Sequence, residues 1–166
     1  MTTGRRQRKR SSAGIAAIGW VLCPLLVSPQ ILHAATTERL ISDWHTGLAI
    51  GGYDPVAFYT DGEAELGSPD IELAHAGAVW RFRNVGNRAA FAANPDVYMP
   101  QFGGYDALGV GQGIAVAGNP SVWTITSGRL FLFYDRQRLE NFLADPQRFI
   151  GAAERKWPDV LNTLSP

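Results

Sequence analysis

The sequence predicts an α+β fold in which two pseudo-repeated β-hairpin–helix units pack into one small domain. Two observations carry this. Residues 77–98, GAVWRFRNVGNRAAFAANPDVY, align without a gap onto residues 128–149, GRLFLFYDRQRLENFLADPQRF, at a constant offset of 51. Both copies also read the same way: strand, glycine turn, alternating strand, cap, helix, Asx-Pro pair.

In the first copy ELAHAG leads into a turn at Gly77, and VWRFR alternates apolar and polar residues as a half-buried strand does. Asn84 is placed to cap a helix of two to three turns, which Asn94-Pro95 ends before a short following helix. In the second copy WTITSG, LFLFY, Asp135 and Asp145-Pro146 play the same parts. Paired positions include Phe82 with Phe133 and Phe91 with Phe142. A single unit of this size leaves an apolar face bare, whereas two packed together share one core. Strands joined by tight turns pair antiparallel.

Ahead of the first copy, Asp54-Pro55 has the form of an N-cap with proline at the first helical position, and a short helix through Val56–Tyr59 stops at Asp61-Gly62. ELGSPD reads as loop. The glycine-rich segment from Met99 to Ser121 lies between the copies and predicts a short helical piece with close backbone packing. It lacks the strand–GxGxxG–helix context and the GK[ST] ending of a nucleotide loop. The closing stretch AAERKWPDVLNTL predicts a last helical turn or two anchored by Trp157.

The N-terminus carries a different signal. MTTGRRQRKR has five positive charges and no acid, and no charged residue stands from Ser11 to Leu32, a segment containing the apolar run IAAIGWVLCPLLV. Ala34 and Ala35 supply small residues before the polar TTER. This is the pattern of a secretory signal peptide over residues 1–34, cut after Ala34 or Ala35. The other reading is an uncleaved anchor, the chain's one route to a membrane, and Pro24 and Pro29 oppose a continuous spanning helix. Arg5-Arg6 lacks the hydrophobic residues that follow a twin-arginine signal, which favours the general secretory route to the periplasm. Cys23 follows Val21-Leu22 and has no lipoprotein context.

Removing the signal leaves ten basic against fifteen acidic residues. A domain with that balance has no electrostatic footprint for nucleic acid. It also has no cysteine, so neither a disulfide nor thiolate chemistry is available to it. Residues 35–49 read as a connector in which Trp44 and His45 pack on the domain, residues 50–160 as the domain, and 161–166 as a tail.

Taken together, GGYDPVAFYTDG, AVWRFRNVGNRAAFAANPDVYMPQFGGY, WTITSGRLFLFYD and the terminal Trp157-Pro158 resemble the exported YHS-domain proteins of Gram-negative bacteria. The resemblance covers about residues 50–160. It implies a small α+β domain and a link to metal binding or metal handling, without a defined activity. Metal-associated members carry Phe-Cys-Ser-x-x-Cys at the strand end, where this chain has Phe82-Arg83-Asn84-Val85-Gly86-Asn87. Exported relatives read GGYCAYGV where this chain reads Gly103-Gly104-Tyr105-Asp106-Ala107-Leu108-Gly109-Val110. Arg83, Asn87 and Asp106 thus stand at the matched cysteine positions, and the soft ligands that select Cu(I) or zinc are gone.

Asp106 is the leading candidate for a ligand site, with Tyr105, Asp54 and Tyr53 beside it; its plain alternative is a hydrogen-bonded structural aspartate. Asp54 is already explained as a cap. A divalent metal would draw on the hard oxygen of Asp106 and the imidazole nitrogens of His75 and His45, although His45 and His75 show no metal-ligand spacing and His75, just before a hairpin glycine, is expected to face solvent. The aromatics Tyr53, Tyr59, Trp80, Tyr98, Phe102, Tyr105, Trp123 and Phe131 line either a ligand pocket or, more simply, the core. No GxSxG serine is present. Three functions remain open. The first is a non-enzymatic periplasmic binding or accessory protein for a small ligand or protein partner, linked to metal handling by the resemblance. The second is a small pocket enzyme or ligand-binding protein built on Asp106. The third is a structural or interaction domain with a decayed site.

Overall fold

A computed structural model describes residue 1, residues 39–43 and residues 45–164. The signal segment, its cleavage site, Cys23, Trp44 and the last two residues of the tail lie outside the described residues.

The chain order is α1 (Ala57–Thr60), β1 (Ser68–His75), β2 (Ala78–Phe82), α2 (Val85–Ala93), α3 (Pro95–Tyr98), α4 (Ala107–Gly111), β3 (Asn119–Thr126), β4 (Arg129–Phe133), α5 (Arg136–Ala144) and α6 (Pro146–Leu161). Single 3-10 turns at Ile50–Gly52 and Gln101–Gly104 precede α1 and α4. Each hairpin forms its own two-stranded antiparallel sheet. The fold is α+β. From the start of β3 to the start of α6, every boundary equals the corresponding one between β1 and α3 plus 51 residues.

Local chemistry accounts for most of these elements. Ala76-Gly77 and Ser127-Gly128 adopt positive φ at the two hairpin tips, as two-residue hairpin turns require. Asn84 caps α2 by accepting from the Asn87 N–H, and Asp135 caps α5 by accepting from the Arg138 N–H. Proline opens α3 and α6 at its favoured position.

Three elements depart from the sequence-based expectation. Strand β1 begins at Ser68, inside the segment expected as loop, because an irregularity between Ser68 and Glu72 lets Ser68 pair with Phe82. Asn119-Pro120, within the glycine-rich segment expected to be a short helical piece, opens β3, and the Asn119 side chain accepts from the Ser121 N–H. The expected last turn or two is a 16-residue helix that runs through Pro158. Proline inside a helix removes one backbone bond. Burial of Ile150, Ala153 and Val160 against the second core offsets that loss.

Two apolar clusters form, and β4 joins them. Leu130 and Leu132 enter the cluster of Trp80, Phe82, Phe91, Phe58 and Val56. Phe131 and Phe133 enter the other, with Tyr105, Leu108, Phe142 and Ile150. Alternation sends successive side chains to opposite faces, so the uninterrupted apolar run of β4 is that of a strand buried on both sides. Strand β2 alternates buried Ala78, Trp80 and Phe82 with half-buried Val79 and Arg81. The aromatics are therefore mostly core. Phe91 lies 4.9 Å from Trp80, and Phe142 lies 4.9 Å from Phe133.

Candidate functional site

The sequence Gly-Gly-Tyr-Asp occurs twice, at 51–54 and at 103–106, and both aspartates are fully buried. They are the buried charged residues among those described. An unpaired carboxylate in that position would be strongly unfavourable, so its partners decide what it does.

Asp54 is satisfied on both oxygens. Its Oδ1 accepts from the N–H groups of Val56 at 2.8 Å and Ala57 at 3.3 Å, which fixes the turn into α1. Its Oδ2 accepts from the Arg83 N–H at 2.8 Å and from Asn87 Nδ2 at 2.7 Å. The local cap seen in the sequence is thus half of the story. The other oxygen reaches 29 to 33 residues along the chain and ties α1 to the junction of β2 and α2.

Asp106 repeats the arrangement. Its Oδ1 accepts from the Gly109 N–H at 2.8 Å, capping α4, and from Arg138 Nη1 at 3.1 Å. Its Oδ2 accepts from the Tyr134 N–H at 2.9 Å, at the junction of β4 and α5. Tyr134 and Arg138 stand 51 residues after Arg83 and Asn87. The two latches are not identical: four neutral donors hold Asp54, whereas three hold Asp106, one of them the partly exposed guanidinium of Arg138, which pairs with the buried carboxylate.

The four residues of the expected ligand site therefore do not line one pocket. Tyr105 is fully buried in the second core, its ring 6.2 Å from Trp157. Tyr53 is half-buried against the first core, and its hydroxyl meets Ser121 Oγ at 3.2 Å. Arg83 and Asn87 serve the Asp54 latch, and Asp106 forms the other. The Arg83 side chain itself turns outward to pair with Asp61.

The histidines are also apart from this chemistry. His75 is half-buried rather than solvent-facing, its ring edge-on to Phe91 at 5.7 Å. His45 is exposed in a turn whose centre is Asp43. Hydrogen bonds from the Thr46 backbone and hydroxyl, and then from the His45 backbone, hold the Asp43 carboxyl below its ordinary pKa. Among the described residues no group of three or more His, Cys, Asp or Glu side chains gathers to hold a metal ion, and no helix is long and apolar enough to cross a membrane.

Among the described residues one buried side-chain polar atom is left over. Among these residues the Tyr59 hydroxyl makes no hydrogen bond of ordinary length, only a weak approach to the Leu130 backbone. Burial raises its pKa above 10.0, the Leu130 backbone nearby opposes the rise, and Tyr98 adds to it. The sequence carried a signal for the paired latches that the hairpin alignment missed, namely the second Gly-Gly-Tyr-Asp, offset by 52 instead of 51. No family model matches the chain, and no curated protein or solved structure matches it.

Proposed function

We propose that this chain is an exported, non-enzymatic binding or accessory domain of the YHS type, in which the family's metal-ligand positions have been given over to structure. One observation carries the reading: every oxygen of Asp54 and Asp106 already accepts a hydrogen bond from a donor fixed by the fold. A general base needs a carboxylate within reach of a substrate proton, and these carboxylates are spent on holding helices to hairpins. The equal spacing of the elements supports reading the halves as two copies of one unit, each closed by its own aspartate.

Export and the link to metal handling come from the signal-like N-terminus and the family resemblance. Cell fractionation tests the first: the processed protein is expected in the periplasm, and retention of the full-length chain in the cytoplasm would remove that part. Titration of the purified protein with copper, zinc and manganese tests the second. Tight binding of copper or zinc would show that soft-metal chemistry survives without thiolates and would overturn the reading of the latches. Saturable turnover abolished by Asp106→Asn under conditions where that variant stays folded would favour the pocket-enzyme reading instead.

A further inference from the structure

The segment that enters the domain forms a strap. The Ile41 N–H donates to the Gly103 carbonyl at 2.8 Å, and the Ile50 N–H donates to the Ile41 carbonyl. Gly103 has φ of 61°, and the Arg39 carbonyl oxygen lies 2.0 Å from where a Cβ would stand. Only glycine admits the strap there.

Beside this crossing lies a cavity of about 300 Å³, lined by Arg39, Leu40, Ala76, Met99, Pro100 and Gly103. That volume is at the small end of ligand sites, which run roughly 300–1,000 Å³. Its lining is apolar apart from Arg39. Among the described residues Arg39 forms no ion pair. Asp43, the next acid along the chain, is held within its own turn. In a domain with an excess of acidic residues, an exposed guanidinium that forms no ion pair among the described residues, at the edge of an apolar cavity, is complementary to an anion with an apolar body.

We propose that this cavity binds a small amphipathic monocarboxylate, with Arg39 taking the carboxylate and Leu40, Met99 and Pro100 the alkyl chain. The site is separate from both aspartate latches, so the proposal stands or falls apart from their role.

Calorimetric titration of the exported, purified protein with butanoate, hexanoate and hexan-1-ol tests it. Affinity should rise about three- to fourfold per methylene from butanoate to hexanoate, as apolar burial requires. Hexanoate should bind about three- to fivefold tighter than hexan-1-ol, the worth of a partly exposed charge pair. Arg39→Gln should erase the second difference and leave the first. Met99→Trp should fill the cavity and weaken both ligands, with Leu40→Trp as the second filling variant should Met99→Trp fail to fold. Equal binding of hexanoate and hexan-1-ol, no gain with chain length, or no saturable binding would each overturn the proposal. Tighter binding of a short peptide ending in a leucine carboxylate would overturn the small-molecule assignment.

Discussion

Replacing Asp106 with alanine removes a fully buried carboxylate that three donors share. The N–H groups of Gly109 and Tyr134 then lose their acceptor, and each stranded buried donor costs about 1–3 kcal/mol. The Arg138 guanidinium, already 29% exposed, can turn to water, so its loss adds little. The expected destabilisation is about 2–6 kcal/mol, the sum over the two stranded backbone donors. Asp106→Asn keeps one acceptor oxygen but points an amide donor at another donor, and should lose about 2–4 kcal/mol. Arg138→Gln leaves both backbone donors in place and should lose less than either. Urea unfolding of the three variants measures this series, with unchanged m-values showing that the unfolding transition is the same. A loss under about 1 kcal/mol for Asp106→Ala would refute the latch, because a carboxylate that closes α4 onto the β4–α5 junction cannot be removed at so small a penalty.

Four further outcomes follow from the same packing. Phe91→Ala and Phe142→Ala empty equivalent places in the two cores and should each cost about 3–5 kcal/mol in denaturant unfolding. Tyr59→Phe removes a buried hydroxyl that makes no hydrogen bond of ordinary length among the described residues, so it should leave stability within about 1 kcal/mol of the parent or raise it, by thermal or urea unfolding. Because the folded state holds the Tyr59 proton more tightly than the unfolded chain, stability should fall as pH rises past 10, and Tyr59→Phe should flatten that decline in pH-dependent urea titrations. Gly118→Ala would put a Cβ 2.5 Å from the Gly104 carbonyl oxygen and 2.6 Å from Leu132 Cβ; the backbone would have to shift, for a loss of about 1–3 kcal/mol or more on the same assay.

What the sequence determined by itself is the set of local devices. Strand alternation, the glycines of the hairpin tips, the caps at Asn84 and Asp135 and the prolines opening α3 and α6 act over a few residues, so their identities and spacing announce them. The α+β class and the antiparallel hairpins follow from those devices. Local signals ran out where long-range packing outweighs local preference. Pro158 reads as a helix stop, yet α6 continues through it because its apolar face is buried.

The aspartates show the division most clearly. The sequence alone offers both aspartates as ligand candidates, Asp54 with a capping role and Asp106 with a hydrogen-bonded structural role as the plain alternative, because the residues next to each are all that a linear reading can weigh. Only the tertiary structure brings Arg83 and Asn87 to the one and Tyr134 and Arg138 to the other. A carboxylate has more accepting capacity than a local cap uses. Where the remaining oxygen points is set by how hairpin and helix dock, and that docking is decided by the burial of β4 on both faces.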